Sequence, residues 1–339
     1  MRKFLIALAL FLGVTFILAR LAEVRAIGQT LRQGDFRFIL LAFGIQILWL
    51  LNVAASYKVI YRALNLEEKI ETLFLAAAGA NFVNVIAPSA GVGGMAVFLS
   101  AARRRGYSSA RTAVAGALFL FFDYAGFLCV LVLGLIVLFR RHTLTATDLV
   151  ATIVLLFIAL TLFVFLFLGM HSAKALGSSL AWFVRNVNRI LQPIIHRQYL
   201  STERAHLFAQ DAAEGLRQVR QKPGDLLLPA LLALSSKALL VSILLLVFMA
   251  FQVPISLGTL VAGFSVSYLF FIVSPTPAGI GVVEGTMSLA LNSMYISLGA
   301  ATVIALAYRG ITFWIPLAFG GIALRILNYD SNPRLLSDR

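Results

Sequence analysis

"SPTPAGIGVVEG", Ser274–Gly285, decides how this chain is read. Two prolines, three glycines and a glutamate stand between apolar runs long enough to enter a lipid bilayer. Proline removes an amide donor and glycine frees the backbone, so a regular helix is not expected to pass through this stretch. Within hydrocarbon each unpaired backbone group costs several kcal/mol, and irregular backbone survives only inside protein or beside a wet cavity. The stretch therefore marks a break at depth, and the carboxylate of Glu284 needs a reason to be there.

Composition settles the setting. Of 339 residues, 60% are hydrophobic and 12% charged, more apolar surface than a soluble fold of this length hides. The fold class is all-α, a polytopic membrane protein with a single membrane domain over residues 1–339. The net charge of +14 lies in short segments between apolar runs, which points to membrane topology. No basic helix, aromatic platform or zinc-type spacing accompanies it, so nucleic acid is not an expected partner. The single cysteine, Cys129, excludes an intramolecular disulfide and reads as a small buried apolar residue. The four histidines lack metal-ligand spacing, so no metal and no cofactor is expected. With no nucleotide-binding glycine loop, Asp-rich motif or nucleophile–base arrangement in the apolar runs, the chain does not read as an enzyme.

Six apolar runs are read as full crossings: Phe4–Ala19, Phe38–Tyr57, Thr112–Phe139, Leu149–Met170, Leu226–Val253 and Ala300–Leu324. The first resembles a signal peptide but lacks a clear cleavage site before Arg20, so it is read as an uncleaved helix. Two further runs, Thr72–Ser100 and Ile255–Leu298, are broken by "PSAGVGG" at Pro88–Gly94 and "PTPAGIG" at Pro275–Gly281. They are read as re-entrant helical hairpins. With the N- and C-termini cytoplasmic, this path places 20 basic residues inside and six outside, leaving Lys237 and Arg309 in the membrane. Charge alone fits two full crossings at each break equally well.

A shift of 188 residues, the interval from Ala90 to Ala278, lays "AGVG" on "AGIG". It also pairs Tyr107 with Tyr295 and Ser109 with Ser297. The expectation is an inverted repeat, one unit spanning about residues 38–139 and the other about 226–325. Between them, residues 172–224 read as an amphipathic cytoplasmic linker of two helices. Leu176, Leu180, Val184, Val187, Leu191 and Ile194 would form one apolar face, and Leu207, Leu216 and Val219 the other.

Paired breaks in inverted halves are how transporters build a central site. Helix starts near Gly91 and Gly279 would present backbone amides to an anion. Asn81, Asn84, Ser89, Ser274 and Thr276 add polar groups. Four ionisable residues lie at depth: Asp123, Lys237, Glu284 and Arg309. Because the shift places Asp123 and Arg309 within a turn of symmetry-related positions, the two are expected to face each other. Glu284 is left with three readings: a pair with Lys237, a site for a cationic headgroup, or a proton-carrying group.

"NFVNVIAPSAGVGG", the basic cluster "RRRGYSSAR", and "FIVSPTPAGIGVVEG" leading into "ALAYRGITFWIP" closely resemble the lysylphosphatidylglycerol synthase transmembrane-domain family, also described as flippase-like. The resemblance runs from about residue 5 to 325. Pro277, Gly279, Gly281, Glu284 and Arg309 match the family's second motif; Pro88, Gly91 and Gly93 match the first. The resemblance implies an inner-membrane protein that moves polar-headed or aminoacylated phospholipid between leaflets. The soluble aminoacyl-transferase domain of two-domain relatives has no counterpart in this sequence, so lipid synthesis is not implied. Two alternatives stand beside lipid movement: a membrane scaffold recruiting a lipid-modifying enzyme or glycosyltransferase through the linker, and a small-solute or ion transporter.

Overall fold

The computed structural model describes residues 28–86, 92–195, 201–274 and 276–329. Among the described residues, twelve helices make up the bundle: α1 (Phe36–Ala63), α2 (Ile70–Ile86), α3 (Val92–Arg104), α4 (Ser109–Arg140), α5 (Ala146–His171), α6 (Ala173–Ile195), α7 (Thr202–Gln221), α8 (Leu227–Ala250), α9 (Leu257–Val273), α10 (Val282–Ser293), α11 (Leu298–Arg309) and α12 (Ile315–Tyr329). A π-helical turn, Gly310–Trp314, joins α11 to α12. No strand occurs among the described residues.

Five spans among the described residues are long and apolar enough to cross a membrane, and they match the five expected crossings after the first. The run Phe4–Ala19, with the question of its cleavage, lies outside the described residues. Local chemistry sets the helix starts. Asp35 caps α1 by accepting from the Arg37 amide, Ser108 caps α4, and Thr145 and Asp148 form a reciprocal capping box on α5.

The segments between helices gather at two ends of the bundle. At one end, the Asp35 amide donates to the Ala250 carbonyl, so the start of α1 meets the end of α8. Arg141 there donates to Ser256 and Thr259. At the other end, Arg105 pairs with Glu68 at 3.1 Å, Arg111 with Glu214 at 2.8 Å, and Arg104 donates to the Leu327 carbonyl. Glu68 precedes α2 and Arg105 follows α3, so this helix pair leaves from and returns to the same end. The 17 residues of α2 reach only about 25 Å at the usual helical rise. α9 and α10 are likewise antiparallel neighbours, with Gly263 against Leu291.

Two apolar clusters fill the bundle. One joins α1, α4, α5 and α8–α11 around Phe127, Phe248 and Phe264; the other joins α1–α4 with α5–α7. The expected halves share an order of helix lengths: 28, 17, 13 and 32 residues for α1–α4, then 24, 17 and 12 for α8–α10. The second half closes with the α11–α12 pair.

Two details depart from the sequence reading. Cys129 is exposed on the outer surface of α4; its helical register turns it away from the packed side, which an apolar neighbourhood does not reveal. Within the linker, Leu216 and Val219 are buried on α7 while Leu207 is 60% exposed. Nine residues separate Leu207 from Leu216, about half a turn out of phase, so they occupy opposite faces.

Candidate functional site

A cavity of about 340 Å³ lies between α1–α4 on one side and α8–α12 on the other. Residues flanking both breaks line it: Asn84, Val85 and Gly94 beside the first, Ser274, Thr276 and Ala278 at the second. Asn81, Asp123 and Arg309 reach the same space, within walls that include Trp49, Tyr57, Phe98, Phe119 and Tyr268. Tyr57 stacks between Phe98 and Phe119, with ring centroids at 3.9 and 4.4 Å. The mixture is what an amphipathic ligand needs: aromatic surface with a few fixed polar groups.

Near the first break, the Gly94 amide donates to Asn84 Oδ1 at 2.5 Å, tying the end of α2 to the start of α3. Asn81 donates to the Ala77 carbonyl of its own helix. Gly93 lies in the first turn of α3. Pro88, Ser89 and Gly91 lie outside the described residues.

The second break is a tight left-handed turn. Ala278, Gly279 and Gly281 have φ of 52°, 72° and 77°, and Pro277–Gly279 form one short helical turn. Positive φ is cheap for glycine and strained for Ala278. Hydroxyls replace the missing helical bonds: Ser274 and Thr276 meet at 2.8 Å, and Thr276 donates to the Ile280 carbonyl. Glu284 then closes the turn. One carboxylate oxygen accepts from the Gly281 amide at 2.7 Å and the other from Arg309 Nε at 2.6 Å. Arg309 Nη2 donates to the Ala278 carbonyl at 2.8 Å, with the guanidinium 4.5 Å from the Phe313 ring centroid.

This geometry corrects two expectations and closes one of the three readings of Glu284. The Gly279 and Gly281 amides are not open to an incoming anion, because Glu284 already occupies the Gly281 amide and the Gly279 amide bonds to the Thr276 carbonyl. Glu284 pairs with Arg309 rather than Lys237. Asp123 and Arg309 share the cavity but do not pair, since each has a closer partner.

For Asp123 that partner is Lys237, at 2.6 Å from Oδ1. Lys237 is wholly buried, whereas the Asp123 side chain is 15% exposed toward the cavity. Tyr268 completes a triangle, its hydroxyl 2.6 Å from Lys237 Nζ and 3.0 Å from Asp123 Oδ2. The sequence reading singled out Asp123 and Lys237 but not Tyr268, a polar tip in "FSVSYLFFIVS" six residues before the second break. Lys237, Gly93, Gly279, Gly281 and Glu284 do not line the cavity. Among the described residues no cluster of His, Cys, Asp and Glu has the makings of a metal site.

No curated protein matches the sequence. The family described as "Lysylphosphatidylglycerol synthase TM region" matches residues 4–320, nearly the whole chain. The described residues form a multi-pass helical bundle, and the chain belongs to the lysylphosphatidylglycerol synthase transmembrane-region family.

Proposed function

We propose that the protein is a lipid translocase that moves a polar-headed lipid, phospho- or aminoacylated, between leaflets of the inner membrane, with both termini cytoplasmic. The observation that carries this reading is the cavity lined from both breaks, holding a carboxylate and a guanidinium within aromatic walls. A headgroup enters that cavity while its acyl chains stay in hydrocarbon, which avoids taking a charged group through lipid.

The arrangement of the halves supports alternating access. α1 and α8 run antiparallel and are bonded side chain to side chain, Trp49 to Ser236 and Asn52 to Ser235. The 188-residue shift pairs Trp49 with Lys237, next to Ser236, so these bonds lie where a two-fold axis between inverted units would pass. Rocking of one unit on the other about that crossing exposes the cavity to each leaflet in turn.

The test is translocation by purified protein in liposomes, using fluorescent phosphatidylglycerol and its lysylated form with leaflet-selective quenching. Wild type accelerates movement of at least one of the two, and Asp123→Asn slows it several-fold. Rates equal to those of protein-free vesicles for both lipids would count against the proposal.

A further inference from the structure

The Asp123–Lys237–Tyr268 triangle stands between two spaces. On one side is the large cavity. On the other is a second cavity of about 10 Å³, lined by Asn52, Ser56, Asp123 and Ser236 among others. That is room for one water molecule, and the walls supply polar partners for it. Asn52 Nδ2 is used by Ser235, but Asn52 Oδ1 is buried with no hydrogen-bond partner. An orphaned acceptor beside a water-sized space, with Ser56, Asp123 and Ser236 also in its wall, offers one water a site directly behind Asp123.

We propose that this triangle is a cation–proton exchange site, in which a primary ammonium entering the large cavity takes Asp123 from Lys237 and the Lys237 proton leaves through the small cavity. The inference rests on the lipid-translocase reading and names its coupling ion.

The argument is charge balance. Lys237 has no exposure, and among the described residues Asp123 is its only carboxylate partner. A buried ammonium stripped of its counter-charge is far costlier than a neutral amine plus a proton returned to water. The other titratable or charged groups facing the triangle are Tyr57 on α1, Tyr124 on α4, and Tyr308 and Arg309 on α11. None of them is a second anion for Lys237, and Arg309 is already held by Glu284. The step conserves atoms and charge: the Lys237 ammonium bound to the Asp123 carboxylate, plus an incoming ammonium, give a neutral Lys237 amine, an Asp123 carboxylate bound to the new ammonium, and one proton. Tyr268, bonded to both groups, carries the proton from Nζ to the carboxylate side, where the water beside Asn52 accepts it. When the cargo departs, the reverse uptake restores the original pair. Inward movement of the cation is thus matched by outward movement of a proton.

The experiment uses the full chain in liposomes with a luminal pH dye, lysyl-phosphatidylglycerol as probe, and free lysine in a parallel arm. Wild type alkalinises the lumen as the lipid moves inward, and an inside-acid gradient speeds that movement several-fold. Lys237→Met abolishes the gradient response. The double variant D123N/K237M, which leaves no unpaired charge behind and so guards against misfolding, abolishes it as well. Asn52→Leu, filling the small cavity, slows the luminal pH change more than lipid binding. A response to the lipid alone assigns the headgroup as the cation, and a response to free lysine as well assigns a soluble amine; both uphold the exchange. Lipid movement at one rate under gradients of either sign, without luminal pH change, overturns the exchange and leaves translocation standing. No movement of the lipid overturns both.

Discussion

Arg309 and Glu284 meet at 2.6 Å, and the same two side chains hold the backbone of the second break from both directions. Glu284 takes the Gly281 amide, and Arg309 takes the Ala278 carbonyl. The pair is therefore a brace across a turn that has lost its regular hydrogen bonds. This differs from the Asp123–Lys237 pair, which joins two long helices and reaches the cavity through the carboxylate.

A brace of this kind has a mutational signature. Arg309→Met strands the Glu284 carboxylate and releases the Ala278 carbonyl, and breaking one side of a buried ion pair costs about 3–5 kcal/mol. The double variant E284Q/R309M removes both charges, while the side-chain carbonyl of the substituted glutamine still reaches the Gly281 amide. It unfolds at a higher temperature than R309M alone. Thermal unfolding in detergent measures the order; a double variant less stable than both single ones would refute the brace.

The turn itself gives a second contrast. Ala278 holds a left-handed conformation that costs a non-glycine residue about 1–2 kcal/mol, whereas glycine adds about 0.5–1 kcal/mol of chain entropy. Ala278→Gly therefore leaves the melting temperature unchanged or slightly raised. At Gly279 the φ is also positive, and a new Cβ would collide with Val283 Cγ2. Gly279→Ala therefore lowers it clearly. Parallel melts of the two variants check the sign at each position.

Much of this was legible in the residues, and what was not has a physical cause. Apolar runs of spanning length and the Pro/Gly interruptions are one-dimensional signals, so the spans and the second break could be read directly. The partners of the buried charges were not, because pairing depends on which faces of packed helices meet. The 188-residue shift brought Asp123 and Arg309 near symmetric positions, but Lys237 and Glu284 are closer in space. Glu284 is three residues from Gly281, the spacing of a helix-start carboxylate that bonds its own cap, and that local signal was available. Tyr268 carries no formal charge and looks like one more aromatic residue in an apolar helix, so only the fold reveals its place between Asp123 and Lys237.

Close helix packing gives a third prediction. A Cβ at Gly134 would overlap Ser265 Oγ and sit 2.5 Å from Ser265 Cβ. Ser265 is wholly buried, and its hydroxyl donates to the Val130 carbonyl on the same helix as Gly134. Gly134→Ala thus forces α4 away from α9, an overpacking cost of about 1–3 kcal/mol. Adding Ser265→Ala does not relieve it, because the offending Cβ stays; adding Ser265→Gly does. Melting temperatures of the two double variants distinguish this clash from a general intolerance of change at Gly134.

Cys129 provides a probe of how the bundle sits in lipid. Its side chain is exposed on the outer face of α4, 20 residues into a 32-residue helix that begins at Ser109, beside outward-facing Val132 and Leu133. In a bilayer that surface contacts hydrocarbon, which a charged reagent does not enter. Detergent lets water approach the same position. A sulfonated maleimide therefore leaves Cys129 unlabelled in intact proteoliposomes, where the uncharged N-ethylmaleimide reacts slowly, and both reagents label it after detergent unfolding. Mass spectrometry of the single thiol reads the result. Rapid labelling by the charged reagent in sealed vesicles would place this face of α4 against water and require a different orientation of the bundle.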